Sequence, residues 1–132
     1  MKILIVDNDP ERAEAMKAAV VHAGYSYNFT GRNLLYASLL ERVDACVVNG
    51  DIPGAGVLSL LNQIETIAKD MKRNLPTLVL GNTFLAQAGG VFRFDLRQIQ
   101  KVFHFSEFQL REEDPLAHLT EFLHRVSKIP KP

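Results

Sequence analysis

Apolar and polar positions along the chain alternate between two kinds of segment. Ile3–Val6 is an unbroken apolar run rich in β-branched residues, the pattern of a strand covered on both faces. It ends at Asp7-Asn8-Asp9-Pro10, where Asp9 is placed to cap a helix and Pro10 to begin it. Glu11–Ala23 is Ala-rich, with Met16, Val20 and Ala23 at helical spacing, and Gly24 stands where such a helix stops. Tyr25–Phe29 reads as a second, weaker strand. Within Arg32–Arg42, Leu35 and Leu39 sit one turn apart, as do Tyr36 and Leu40, which predicts a helix. Ala45–Val48 is another strand of the buried type and runs into the turn cluster Asn49-Gly50-Asp51-Ile52-Pro53-Gly54. Val57, Leu61, Ile64, Ala68 and Met71 then mark the clearest helix, Ala55–Arg73, with Asn74 closing it.

Pro76 introduces a fourth strand, Thr77–Leu80. Across 81–100 the period is mixed. Thr83–Ala88 fits one or two helical turns, Gly89-Gly90 interrupts it, and Val91-Phe92-Arg93-Phe94 alternates like a strand. Lys101–Phe105 predicts a fifth strand, and Asp114-Pro115 opens a last helix with Leu116, Leu119, Leu123 and Val126 on one face. One domain is expected over 1–128, with 129–132 a linker or tail. Five short strands separated by helices form a βαβ series, which needs a parallel sheet covered on both sides. The expected fold is therefore α/β: a three-layer α/β/α sandwich with a five-stranded parallel sheet in the flavodoxin-like order 2-1-3-4-5.

Composition narrows the function. Fifteen basic against fifteen acidic residues leave no net charge, so direct nucleic-acid binding lacks its electrostatic basis. A single cysteine excludes a disulfide framework and a Cys-cluster zinc site. Asp7 arrives too soon for a signal-peptide core, and no window reaches the roughly 18 apolar residues of a membrane span. The expectation is a soluble, cytoplasmic domain.

In such a sheet the ligand crevice lies beyond the carboxyl ends of the strands. The residues there are Asp7-Asn8-Asp9, Thr30, Asn49 to Gly54, Gly81-Asn82 and Ser106-Glu107. Ile3-Leu4-Ile5-Val6-Asp7-Asn8-Asp9-Pro10-Glu11 resembles the first strand and acidic turn of response-regulator receiver (CheY-like) domains, and Asn49-Gly50-Asp51-Ile52-Pro53-Gly54 resembles the loop after their third strand. The resemblance extends over the whole chain in length and element order. It implies two-component signal transduction: a phosphoryl group taken onto an Asp at the end of strand three, Mg²⁺ held by two acidic residues after strand one, and a hydroxyl and a Lys contacting the phosphoryl oxygens. Those parts supply a nucleophile, a charge-neutralising cation and oxygen donors.

Carried over residue by residue, the set is mostly altered. Asp7 matches the first acidic position, whereas the second falls on Asn8 and the phosphoacceptor on Asn49. An amide has the shape of a carboxylate but is neither a competent nucleophile nor a good hard-cation ligand. The hydroxyl position falls on Gly81, and Ser106 stands where the Lys should be. The resemblance is thus to a degenerate pseudo-receiver, a regulatory domain that is not an enzyme and acts through a protein partner or an attached output domain, with no resident cofactor.

Two other readings stay open on the residues. Asp51, two positions past the usual place, is an alternative phosphoacceptor, and Asp7, Asp9 and Asp51 together are the one set that offers a weak Mg²⁺ site. A flavodoxin-like small-ligand binder is the other, although the turn after strand one lacks a Ser/Thr-rich phosphate loop. The bland roles are a turn residue for Asp51 and a helix cap for Asp9. The four histidines lack metal-ligand spacing, and Cys46, in mid-strand, reads as a small buried hydrophobe. Six of eight phenylalanines fall between positions 84 and 108. A strand buries only alternate residues on one face, so Phe84, Phe92, Phe94, Phe103 and Phe108, with His104, form the expected interaction surface, suited to a partner or a homodimer.

Overall fold

The first and third apolar runs become the centre of the sheet. In the computed structural model, which describes residues 1–32, 34–49, 56–73, 75–80, 106–109 and 115–128, β1 (Lys2–Val6) lies between β2 (Ser26–Thr30) and β3 (Ala45–Asn49). β4 (Thr77–Leu80) follows on the far side of β3, and all four are parallel in the order β2-β1-β3-β4. A short segment, β5 (Ser106–Gln109), runs parallel along the outer side of β4.

Period-two alternation sends the side chains of each central strand to two separate cores. Leu4, Val6, Cys46, Val48 and Val79 pack with Leu60, Leu61, Ile64 and Ala68 of α3 (Gly56–Asp70), and with Leu40 of α2 (Ala37–Leu40). Ile3, Ile5, Ala45, Val47, Leu78 and Leu80 pack with Met16 and Val20 of α1 (Pro10–His22), and with Leu119, Phe122 and Leu123 of α4 (Pro115–Ser127). The result is three layers, helix–sheet–helix. Burial of each large side chain stabilises by roughly 1.5–3 kcal/mol, which explains the continuous apolar runs in β1, β3 and β4.

The start and stop of α1 follow the sequence reading. Asp9 accepts hydrogen bonds from the Glu11 and Arg12 N–H groups, Pro10 opens the helix, and Gly24 adopts φ +88° beyond its end. Gly24 N–H donates to Val21 O and Tyr25 N–H to Val20 O, so the last carbonyls are satisfied in a Schellman closure. Because Tyr25 belongs to that closure, β2 begins at Ser26, one residue later than its pattern suggests.

Three other boundaries differ from expectation. The helix expected over Arg32–Arg42 is reduced to Ala37–Leu40. Leu35 is buried outside it, its N–H donating to Gln63 Oε1 at 2.7 Å, while Leu34 and Tyr36 are exposed. A tertiary hydrogen bond thus outweighs the local period. The long helix ends at Asp70 rather than Arg73, because Lys72 takes φ +54° and Arg73 N–H donates to Ala68 O. A non-glycine residue performs the reversal, so no sequence signal marked it. The strand paired with β4 is Ser106–Gln109 rather than Lys101–Phe105; the latter, and all of 81–100, lie outside the described residues.

Candidate functional site

Strand order reverses between β1 and β3, and their carboxyl ends open a crevice there. Val6 is in register with Val48, so the next residues, Asp7 and Asn49, meet at its floor. Each is 1% exposed, and with Thr77 they are the buried polar residues among those described. Polar groups this deep require partners.

Arg12 is a partner of Asp7. Its Nη2 and Nε donate to Asp7 Oδ1 and Oδ2 at 3.3 and 3.4 Å, and Nε lies 3.7 Å from Asp9 Oδ2. Asp7 Oδ1 also accepts the Asp9 N–H at 2.9 Å. Arg12 is the third residue of α1, where the helix dipole disfavours a cation by about 0.3–1 kcal/mol. A hydrogen bond to a charged group contributes about 1.5–3 kcal/mol, which is enough to hold the guanidinium there.

Opposite this pair, Asn49 Nδ2 donates to Asn8 Oδ1 at 3.0 Å. Two amides, one after β1 and one at the end of β3, are therefore joined directly. Gly31 closes the side of the crevice, where an added Cβ would stand 3.5 Å from Asp7 O. Mg²⁺ is held in oxygen sites by carboxylates; of the expected set Asp7, Asp9 and Asp51, the first is forked by a guanidinium, the second caps α1, and Asp51 lies outside the described residues. Among the described residues no three His, Cys, Asp or Glu side chains gather as a metal ligand set.

The structure thus brings together Asp7, Asn8 and Asn49 from the predicted site. Ser106 does not join them. It is the first residue of β5 and is in register with Thr77, at the amino end of β4, three residues short of the crevice edge. At about 3.3 Å per residue that is roughly 10 Å away along the strand. Phe108 lies on the same strand, opposite Val79. Gly81, Asp51, Phe84, Phe92, Phe94, Phe103 and His104 lie outside the described residues. Arg12 was not anticipated by the sequence reading. Its signal was a basic residue in the first turn of a helix, at the positive end of the dipole, within reach of a strand-end acid.

Cys46 is buried in β3 and is a free thiol. Burial pushes its pKa up to about 12, against the smaller opposing effects of a hydrogen bond with Thr77 and the charge of Arg73. It is therefore a thiol, not a thiolate, at neutral pH. No helix among the described residues is long and apolar enough to cross a membrane.

No family model matches the sequence, and no curated protein matches it. Solved structures do share its fold. The chemotaxis protein CheY4 of Vibrio cholerae superposes with a TM-score of 0.67 at 16% identity, covering 95% of this chain and 97% of that one. A response regulator receiver domain from Clostridium thermocellum gives 0.68 at 15% identity, over 95% and 92% of the two chains. The non-phosphorylated HemR receiver domain of Leptospira biflexa gives 0.65 at 21% identity, over 99% and 97%. The chain has the α/β, parallel-sheet fold of receiver domains.

Proposed function

We propose that this chain is a receiver-like signal-transduction domain whose output does not depend on phosphorylation. It is a pseudo-receiver of full five-stranded order, β2-β1-β3-β4-β5, working in the cytoplasm without catalysing a reaction. It regulates an attached output domain or a partner protein by contact. The region carrying Phe84, Phe92, Phe94, Phe103, His104 and Phe108 is assigned to that contact. A signalling role is supported by the proteins of like fold, which include a chemotaxis protein and response-regulator receiver domains.

One observation carries the phosphorylation-independent reading: Asn49 is bonded to Asn8 while Arg12 neutralises Asp7. Phosphoryl transfer to a carboxylate needs an anionic oxygen as nucleophile and a cation over the charge that develops. At position 49 the nucleophile is replaced by a neutral amide whose nitrogen is a donor. The acid that would bind the cation already has one, supplied by the chain itself.

The test is incubation of the whole chain with acetyl phosphate and Mg²⁺, read by intact mass. The expected result is an unchanged mass. A gain of one phosphoryl group that disappears in Asp51→Ala would establish Asp51 as acceptor and overturn the reading.

A further inference from the structure

β2 lies at the edge of the sheet, and among the described residues the hydrogen bonds of its backbone run to β1 and the residues flanking it. Ser26 N–H donates to Met1 O at 3.1 Å, and Thr30 O accepts from Asp7 N–H at 3.2 Å. In a parallel ladder the direction of the backbone groups alternates along the strand. Ser26, Asn28 and Thr30 therefore turn theirs toward β1, and Tyr27 and Phe29 turn theirs away from the sheet. Among the described residues no hydrogen bond from outside the strand reaches the backbone of Tyr27 or Phe29.

Sheet edges are ordinarily defended by charged side chains, proline, bulges or a covering element. Ser26-Tyr27-Asn28-Phe29-Thr30 contains no charge and no proline. Tyr27 and Phe29 are 37% and 38% exposed, and Lys17 of α1 lies over them, its Nζ 5.9 and 4.0 Å from the two ring centroids. Exposed Val21 is one turn further along α1 on the same helix face. On the other side of the strand, Asn28 Nδ2 donates to Leu39 O at 2.9 Å and ties β2 to α2.

We infer that this edge is where a second copy of the chain associates, the two β2 strands pairing antiparallel about a two-fold axis through Asn28. The occupant follows from complementarity of partial charge. In that register Tyr27 stands opposite Phe29 of the second copy. The outward N–H of each meets the outward C=O of the other, and the axis repeats the pair, so four backbone hydrogen bonds form. The same register sets aromatic against aromatic on the Lys17 side, a favourable cross-strand pair. A chain with no net charge meets no long-range repulsion from its own copy. The inference rests on the edge alone. It requires neither the phosphorylation-independent reading nor the phenylalanine-rich region.

Sedimentation of the whole chain over a concentration series tests it, with secondary structure and melting of each variant confirming the fold. The wild type is expected to show a reversible monomer–dimer equilibrium. Tyr27→Lys with Phe29→Lys sets Lys against Lys twice across the axis and is expected to weaken the dimer about tenfold or more. Tyr27→Lys with Phe29→Glu sets Lys against Glu and is expected to restore it to within a few-fold of wild type. A wild type that stays monomeric to about 1 mM would overturn the inference and leave the edge to a strand of another protein. A dimer that ignores the Lys–Lys change, or that the Lys–Glu pair fails to restore, would overturn it as well.

Discussion

Arg12 forks the carboxylate of Asp7, its Nη2 and Nε at 3.3 and 3.4 Å from the two oxygens of a side chain with no exposed surface. Removing the guanidinium would take a counter-charge away from that buried carboxylate. Arg12→Met is expected to destabilise by about 3 kcal/mol, toward the low end for a broken buried pair because Arg12 is 27% exposed. Adding Asp7→Asn should recover part of the loss. Urea unfolding of the two single variants and the double gives the coupling, and a value near zero would show that the pair does not act as a unit.

Asn49→Asp supplies the carboxylate that the proposed function finds wanting at this position, and it is expected to gain no phosphoryl group. The variant exchanges an amide donor for a carboxylate beside Asn8 Oδ1, an acceptor, and close to the Asp7 acid. A loss of about 1–3 kcal/mol follows from burying a second carboxylate near that of Asp7. Intact mass after acetyl phosphate and Mg²⁺ should remain that of the unmodified variant. A stable phosphoryl adduct would mean that the rest of the phosphotransfer machinery is in place.

Cys46 makes the fold sensitive to alkali. Its pKa is raised by burial from 9.0 to about 12, above that of the unfolded chain. Below pH 9 the thiol is protonated in both states, and the buried group costs nothing through titration. Above pH 9 the unfolded chain releases a proton that the folded chain keeps, so stability falls by up to about 1.4 kcal/mol per pH unit until the folded pKa is reached. Between about pH 8 and pH 10.5 the urea midpoint should therefore fall further for wild type than for Cys46→Ala. Equal slopes would contradict the assignment.

Asp9 caps α1 through its side chain. Asp9→Ala is expected to cost about 1 kcal/mol, while Asp9→Ser, which keeps an acceptor oxygen, should cost only a few tenths. For a domain of this size the first corresponds to a fall of about 4 °C in Tm. Calorimetry of both variants in the presence and absence of Mg²⁺ checks this. A melt of the wild type that rises with Mg²⁺ and does so no longer in Asp9→Ser would show cation binding instead.

The floor of the crevice is legible in the sequence. The strand ends at Asp7 and Asn49 could be read because β1 and β3 are unbroken apolar runs that stop at turn-forming residues. The Asp9 cap and the Gly24 stop are local, each involving contacts within a few residues. Ser106 was misplaced for the opposite reason. A strand of four residues has little internal pattern, and its register against β4 depends on packing. The Lys72 reversal and the shortened α2 were likewise hidden, since one uses a residue of no special turn preference and the other depends on Gln63, 28 positions away from Leu35.

From the order of residues alone came the βαβ alternation, the two-faced burial of the central strands and the amide at position 49. Those depend on side-chain type and short-range spacing. The state of the crevice was decided only when the chain closed on itself. Asn8 and Asn49 are 41 residues apart and meet because β1 and β3 are neighbours in the sheet, and Arg12 reaches Asp7 because α1 turns back over the strand that precedes it. Neither contact is encoded in a local propensity. Each exists because burial of the two apolar layers fixes where the strand ends lie, and the polar groups left there must satisfy one another.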